Sequence, residues 1–220
     1  MATKNISPEF TTSKIRTPKI ITSEFIAPKI SALKIMTPEI NKFIISFVKK
    51  TISEFVTKNV TIELPKKYPD ALNEKHGIFV TLTENNELRG CIGFIGTKRK
   101  IIENLRDAAI EACLDSRFLP VCAKELPHID FEVSVLAEPA LIKAKNPEEL
   151  LNKIKPKKDG LIIEYMGCSG LFLPQVWMDI PEKEEFLRHL CLKAGIPIDA
   201  WKKGAVLYKF SAEIIKGKFK

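Results

Sequence analysis

The segment Leu88–Gly93, which reads Leu-Arg-Gly-Cys-Ile-Gly, holds the residues of this chain that are best suited to chemistry. Apolar residues and a turn signal around it predict a strand, in which side chains two positions apart share one face. Arg89, Cys91 and Gly93 therefore point the same way, with Arg89 roughly 7 Å along the strand from Cys91. A nearby cation favours the thiolate, which is the nucleophilic form of cysteine. Cys91, assisted by Arg89, is a candidate catalytic nucleophile.

The two glycines of this segment are candidate ligand-binding positions. Gly93 leaves room beside the thiol, where a ligand or another backbone could approach, and Gly90 lies on the opposite face. The same residues also have a purely structural interpretation, in which Cys91 is a small buried apolar side chain and Arg89 is an ion-pair partner. The local sequence leaves both interpretations open.

A second polar group, Asp115-Ser116-Arg117-Phe118, follows a predicted helix and precedes a proline, which indicates a loop. Arg117 could hold a carboxylate or phosphate with two parallel hydrogen bonds while Asp115 orients it. Equally, the Asp–Arg pair could pin the loop and satisfy the end of the preceding helix. Both residues are candidates for substrate binding.

Three further polar residues are candidates for substrate binding. Glu132 and Ser134 share one face of a strand predicted over 129–136, and Gln175 follows a proline in a later loop. Glu132 either faces solvent or faces a cleft, where it would partner Arg89 or act as a base. Gln175 is a candidate for an amide contact. We expect these residues to converge in one site with the thiol and the Asp–Arg loop.

The sequence predicts no cofactor and no metal site. It lacks the His and Cys spacings of metal sites, a glycine-rich phosphate loop and a nucleophile elbow. His76 is the histidine nearest to Cys91 in sequence, so a Cys–His nucleophilic pair is a weaker alternative. The remaining cysteines have packing explanations: Cys113, Cys122, Cys168 and Cys191.

Hydrophobic periodicity predicts an α+β fold with a mainly antiparallel or mixed sheet and flanking helices. Thr37 is the predicted N-cap of the first helix, and Thr97 is the predicted cap of the second. Hairpin signals outnumber strand–helix–strand units, which favours antiparallel pairing. The predicted helices cover about 38–59, 98–112, a short stretch after Asn146, and 182–194. The predicted strands cover about 77–82, 88–95, 129–136, 161–165, 171–173 and 206–214.

The first 35 residues repeat in pentads such as Ile-Ser-Pro-Glu-Phe at 6–10. An apolar period of five fits neither a helix nor a strand, and the prolines remove backbone donors. Residues 1–35 are therefore predicted to be a low-complexity extension, or a partly extended strap lying on the domain. The domain itself is predicted over 36–215, with a basic tail over 216–220.

The net charge of +8 is concentrated outside the predicted domain. Residues 1–35 carry six basic and two acidic residues, or +4, and 216–220 carry +3, which leaves only +1 for 36–215. Nucleic-acid binding by the domain therefore has little support. The sequence shows no run of about 18 apolar residues and no secretory signal, so we expect no membrane association. Five cysteines without a C-x-x-C pair favour a reducing cytoplasm.

Several segments follow one another in the order seen in a known protein family. Besides Leu88–Gly93 they are Asp115–Phe118 with Pro120, Glu125–Pro127, Glu132–Leu136, Asp159–Ile163, Ser169–Val176, Cys191–Gly195 and Trp201. Over about 36–215 the chain resembles the family named after the Alport syndrome, mental retardation, midface hypoplasia and elliptocytosis (AMME) chromosomal region. Ser116 departs from the proline that is usual in archaeal members, and the loop at 177–181 also departs from the family pattern.

The resemblance implies a compact α+β domain of two lobes around a cleft, with no established reaction. It also implies Memo-like proteins and radical-SAM enzymes as partners in a shared pathway. Two hypotheses follow for the function. The chain is a cytoplasmic thiol-using enzyme or enzyme subunit acting on a small molecule in the cleft, or it is a non-catalytic module whose cleft binds a ligand or a partner protein. RNA or a nucleotide as the ligand is a third hypothesis.

Overall fold

The computed structural model describes residues 37–95 and 98–219, which form two four-stranded layers with helices packed on them. The predicted extension at 1–35 lies outside the described residues. The helices are α1 (Pro38–Lys58), α2 (Ile101–Ala112), α3 (Pro147–Lys153) and α4 (Lys183–Ala194). The strands are β1 (Ile78–Glu84), β2 (Glu87–Phe94), β3 (Ile129–Leu136), β4 (Ala140–Leu141), β5 (Gly160–Tyr165), β6 (Cys168–Phe172), β7 (Val206–Phe210) and β8 (Ala212–Lys218).

Capping residues explain where the first two helices begin and end. The Thr37 hydroxyl accepts a backbone N–H of the first turn at 3.4 Å, which confirms the predicted cap, and Asn59 ends α1 with φ 55°. Thr97, the predicted cap of α2, lies outside the described residues. The structure begins α2 after Lys100, whose N–H donates to the Glu103 carboxylate at 3.2 Å.

The strands form two antiparallel sheets, which confirms the predicted α+β class. The first sheet has the order β2-β1-β3-β8 and the second sheet has the order β4-β7-β5-β6. The last predicted strand, 206–214, is in fact two strands in different sheets. The chain crosses from the second sheet to the first at Ser211, between β7 and β8.

The prediction of a basic tail at 216–220 is wrong for residues 216–218, which belong to β8. The lysines there alternate with other residues and lie opposite acids of β3. Lys218 donates to Asp130 at 2.7 Å, and the Lys216 ammonium is 3.6 Å from the Glu132 carboxylate. Charge alone indicated a tail, because the partners that hold these lysines lie more than 80 residues earlier in the chain.

Each sheet buries its outer face against its own helices, and we call each sheet together with its helices a lobe. α1 and α2 cover the first sheet, where Val80 and Leu105 are fully buried. α4 covers the second sheet together with Trp177, whose ring stacks on Phe186 with a centroid distance of 3.7 Å. None of the described helices is both long enough and apolar enough to cross a membrane.

The inner faces of the two sheets meet in a third apolar cluster. Its buried members are Phe79 and Leu136 from the first sheet, and Ile162, Leu171, Tyr208 and Phe210 from the second. Cys91 packs at the edge of this cluster. We call the region beside it, bordered by Cys91, Arg117 and Lys193, the cleft.

Candidate functional site

Cys91 lies half-buried on β2, an edge strand of the first sheet, with its side chain toward the second sheet. Its Sγ is 3.2 Å from the hydroxyl of Thr81, the residue directly opposite on β1. The same row continues to Glu132 on β3 and Lys216 on β8. Strand alternation therefore builds a polar row across the inner face of the first sheet.

The surroundings of Cys91 keep its thiol protonated at neutral pH. Burial raises the pKa of Cys91 above its ordinary value, and the Asp115 carboxylate acts in the same direction. The Thr81 hydroxyl and the positive charges of Lys193 and Arg117 lower the pKa but do not cancel the effect of burial. Lys193 and Arg117 are therefore the cations that act on this thiol.

Arg89 is not the cation beside the thiol, and the predicted lowering of the Cys91 pKa by Arg89 is wrong. Its Nε and Nη2 atoms donate to the Glu125 carboxylate at 2.6 and 3.2 Å, and Nη2 also donates to the Leu119 carbonyl at 2.9 Å. Strand alternation could not reveal the register shift at Leu82/Thr83, which leaves Arg89 without a partner on β1, nor an acid that lies 36 residues further along the chain. Arg89 instead fastens the segment after α2 to β2.

Asp115 joins the same segment to the strand that carries the thiol. Its carboxylate accepts the Cys91 backbone N–H at 2.9 Å, and it accepts the Arg117 backbone N–H at 3.1 Å. The Arg117 side chain donates to it from Nε at 3.0 Å and from Nη2 at 2.6 Å. Burial alone would raise the pKa of Asp115, but the bonds from Arg117 and Cys91 outweigh it and hold this pKa below its usual value.

The two glycines of β2 are required by packing rather than by a ligand. A Cβ on Gly90 would lie 2.1 Å from the carbonyl oxygen of Ala112, at the end of α2. A Cβ on Gly93 would lie 2.3 Å from both the Phe79 ring and the Ile78 carbonyl oxygen. The prediction of an open place beside Gly93 is therefore wrong, because an aromatic ring fills that place, whereas a ligand contact at Gly90 or Gly93 stays a prediction.

The remaining predicted residues form a separate group two strands away from the thiol. The Gln175 side-chain amide donates to the Glu132 carboxylate, and it donates to the Ser134 hydroxyl at 2.9 Å. Gln175 follows β6 of the second sheet, so this amide links the two sheets. Its own oxygen is buried and has no hydrogen-bond partner among the described residues. Glu132 is bonded here, so it does not partner Arg89 as predicted.

Lys193, in the last turn of α4, is the residue that our sequence analysis missed. Its ammonium lies 5.0 Å from the centre of the Phe172 ring. Burial among protein atoms and, to a lesser extent, the Arg117 charge lower the pKa of Lys193 to about 8, although a Cys91 thiolate would raise it. Lys193 keeps solvent-exposed surface along its side chain, so small molecules can reach it.

The close approach of α4 to β6 positions this lysine. A Cβ on Gly170 would meet the Cβ of Ala194 at 3.0 Å, so the glycine permits tight helix–strand packing just beside Lys193. Gly195 then ends the helix with φ 69°, as predicted. The segment Cys191–Gly195 was one of those that carried the family resemblance, but its pattern indicated a helix end and gave no sign of a cleft.

The other reactive side chains lie elsewhere. Cys113 and Cys191 are buried, as predicted, whereas Cys122 and Cys168 are exposed, so packing does not explain them. His76, considered as a partner for Cys91, is 3.1 Å from the Glu74 carboxylate. Within 37–95 and 98–219, no group of three or more His, Cys, Asp or Glu side chains is arranged to hold a metal ion.

The predicted site residues therefore form two groups rather than one. Asp115 and Arg117 surround Cys91, and Lys193 joins them from the other lobe. The second group lies beyond Thr81, roughly 10 Å from the thiol at the usual strand spacing, and consists of Glu132, Ser134 and Gln175. Chemically, the first group offers a thiol and two cations, and the second group offers a buried hydrogen-bond acceptor.

Comparison with known proteins identifies relatives along most of the chain. The family model described as AMMECR1 matches residues 45–215. Protein MJ0810 of Methanocaldococcus jannaschii is 44% identical over 184 residues, covering 81% of this chain and 90% of that protein. A protein of Thermofilum pendens is 40% identical over 189 residues, covering 80% of this chain and 89% of that protein.

The fold also has a counterpart among solved structures. The crystal structure of the uncharacterized protein PH0010 from Pyrococcus horikoshii matches with a TM-score of 0.77 at 41% sequence identity. The match covers 82% of this chain and 92% of that chain. The similarity therefore extends over nearly the whole of the two-sheet domain.

Proposed function

The chain belongs to the AMMECR1 family, and we propose that it is a thiol-using enzyme or enzyme subunit whose cleft binds a small molecule beside Cys91. The observation that supports this function is the convergence of Cys91, Arg117 and Lys193, which act on one another's protonation. The first two belong to the first lobe, and the lysine comes from α4 of the second lobe. Sites formed where two lobes meet are typical of small-molecule binding.

Cys91, Arg117 and Lys193 have different roles in this proposal. Arg117 and Lys193 attract an anionic small molecule, and both cations stabilise the thiolate when it forms. Cys91 rests as a protonated thiol, because burial raises its pKa. After the thiol proton passes to solvent, the thiolate adds to an electrophilic double-bonded carbon of the bound molecule, and the displaced π electrons take up a proton from solvent. Asp115 is a positioning residue, since it holds both the Cys91 backbone and the Arg117 guanidinium.

The test is the rate of Cys91 alkylation by iodoacetamide as a function of pH. Trypsin separates the five cysteines into different peptides, and Cys91 falls alone in the peptide 90–98. We expect the rate to rise as the pH passes the raised thiol pKa, and Lys193→Met to slow alkylation severalfold below about pH 8, where Lys193 is still largely charged and stabilises the thiolate.

The matched control for this experiment is Lys202→Met. Lys202 also lies over an aromatic ring, that of Trp201, but it pairs with Glu184 at 3.0 Å outside the cleft. Its removal is expected to leave the Cys91 rate unchanged. If Cys91 stays unreactive at pH 10 while the exposed Cys122 reacts, the proposed role of the thiol fails.

A second candidate function is a non-catalytic module that binds a ligand or a partner protein. The observation that favours it is the resting thiol itself, whose pKa is raised rather than lowered. In this function the cleft recognises its ligand through Arg117 and Lys193. An unreactive Cys91 in the alkylation experiment is the result that would favour it.

We also propose, from the family resemblance, that Memo-like and radical-SAM proteins are the partners of this chain. Purified proteins mixed at micromolar concentration and separated by size-exclusion chromatography would test it. Co-elution supports the partnership, and separate elution of each pair contradicts it.

A further inference from the structure

We infer that Lys193 is a second nucleophile of the cleft, and that the substrate is a small aldehyde or keto acid which this amine binds as an imine. The inference rests on the proposed function, because it uses the same cleft and names the class of molecule bound there. A carbonyl carbon is also an electrophile that a thiol can attack, so both nucleophiles would act on one substrate.

The surroundings of the Lys193 amine carry the argument. It lies over the Phe172 ring at 5.0 Å, and no carboxylate of the described residues forms an ion pair with it. Lys202, at the end of a short 3-10 helix after α4, has a similar aromatic contact but is held by Glu184 at 3.0 Å. Lysines that act as imine-forming nucleophiles are those desolvated or placed near another cation. Lys193 meets the second condition through Arg117, and the Phe172 ring covers one side of an otherwise exposed side chain.

Imine formation requires a neutral amine, and the groups around Lys193 favour that form. The groups that act on Lys193 are Arg117, from the loop after α2, and Cys91, from β2. Burial and the arginine bring the pKa of Lys193 to about 8, and the protonated thiol does not oppose them at neutral pH. At pH 7 about one amine in ten is then neutral, whereas an ordinary lysine has fewer than one in a thousand.

Arg117 can hold the acid group of the substrate. Its Nε and Nη2 atoms donate to Asp115, which fixes the plane of the guanidinium. Its Nη1 atom has no hydrogen-bond acceptor among the described residues, so it can donate to a substrate carboxylate. This arrangement favours a keto acid over an aldehyde that carries no charge.

The proposed step balances without a further reactant. The neutral Lys193 nitrogen attacks the carbonyl carbon, a carbon–nitrogen bond forms, and the carbonyl oxygen leaves as water after taking two protons. One proton comes from the amine and one from solvent, which leaves a positively charged iminium. The nearby substrate carboxylate offsets the positive charge of the iminium.

Borohydride trapping of the full chain tests the inference. The protein is incubated with pyruvate at pH 7.5, reduced with sodium borohydride and digested with trypsin. Reduction turns the iminium into a stable secondary amine and blocks cleavage after Lys193, which yields the modified peptide 189–202. We expect at least tenfold more adduct on Lys193 than on Lys202, and equal labelling of the two lysines would overturn the inference.

Propanal serves as a probe without a carboxylate. If Arg117 holds the acid group, Arg117→Lys reduces pyruvate labelling of Lys193 severalfold more than it reduces propanal labelling. An equal loss with both probes contradicts the carboxylate contact. Circular dichroism of the variant confirms that it is folded.

Failure of this inference and failure of the proposed function are distinguishable on the same wild-type chain. The thiol is read in the peptide 90–98 after alkylation, and the amine is read in the peptide 189–202 after trapping. A reactive Cys91 without trapping on Lys193 refutes the carbonyl substrate alone. Trapping on Lys193 with an inert Cys91 refutes the thiol chemistry alone.

Discussion

Asp115 is the most deeply buried charged side chain of the site. Its side chain is only 4% exposed, yet it carries a charge that four donor contacts from two residues satisfy. Buried carboxylates are stable only when they are bonded in this way. The residue that looked like a substrate contact in the sequence is therefore a fastening between β2 and the loop after α2.

We predict that Asp115→Asn lowers the free energy of unfolding by about 2–4 kcal/mol, because the half-buried Arg117 loses its counter-ion. Urea denaturation at pH 7 measures it. The control is Asp130→Asn, which breaks the exposed pair with Lys218 and should cost less than about 1 kcal/mol. Equal losses in the two variants would contradict the assignment.

The same residue should give the protein a dependence on acid. Because the folded-state pKa of Asp115 is lowered, its contribution to stability is complete above the unfolded pKa of about 3.9 and is lost as the pH falls through the folded value. The difference in stability between wild type and Asp115→Asn should therefore shrink below about pH 4. If the difference in stability stays constant down to pH 2, the pKa of Asp115 is not lowered by folding.

At the scale of elements, β2 is an edge strand that the chain covers with its own loop. Arg89 bonds Glu125 and the Leu119 carbonyl, and Asp115 accepts the N–H of Cys91, so the open edge is occupied. Edges covered in this way do not pair with other chains. The end of α2 approaches β2 closely, and Gly90 is what permits that approach.

We predict that Gly90→Ala destabilises the protein by about 2–4 kcal/mol, because the new methyl group would clash with a backbone carbonyl that cannot turn aside. Thermal unfolding compares it with Gly77→Ala, where the nearest atoms are a flexible Leu136 methyl group and the Phe94 carbonyl oxygen, both at 3.0 Å rather than 2.1 Å. The loss at Gly77 should be clearly smaller. If both variants unfold at the same temperature, the contact between α2 and β2 does not require glycine.

The sequence predicted the elements well and their partners poorly. Alternation and capping correctly located α1, the hairpin of β1 and β2, and β3, because these patterns are local. Arg89 was misassigned because its acid lies far along the chain, and Gly93 because the covering ring belongs to β1. Lys193 was missed because only the packing of α4 on β6 brings it to the thiol. Long-range pairing is what local patterns do not encode.

At the scale of the whole molecule, the two lobes are joined by an apolar cluster and by one amide. Gln175 reaches from the second lobe to Glu132 and Ser134 of the first, and a bond of this kind fixes the relative position of the sheets. The cleft depends on that position, because Cys91 and Lys193 belong to different lobes.

We predict that Gln175→Glu lowers stability by about 1–3 kcal/mol at pH 7, because it faces the Glu132 carboxylate with a like charge. The loss should diminish below about pH 4, where both carboxyls are protonated. Adding Glu132→Gln to Gln175→Glu restores a carboxylate–amide pair and should recover most of the stability. If the double variant is no more stable in urea denaturation than Gln175→Glu alone, the hydrogen bond between Gln175 and Glu132 does not join the lobes.

Cys91 and Lys193, from different lobes, meet in one cleft. Treatment of the folded chain with o-phthalaldehyde tests it directly, because this reagent closes a fluorescent isoindole ring only when a thiol and a primary amine react with it together. We predict a cross-link that joins the tryptic peptide containing Cys91 to the peptide containing Lys193, and no such cross-link in Lys193→Met. Isoindole formation only at the exposed Cys122 and Cys168, with the Cys91 peptide unmodified, would contradict the account.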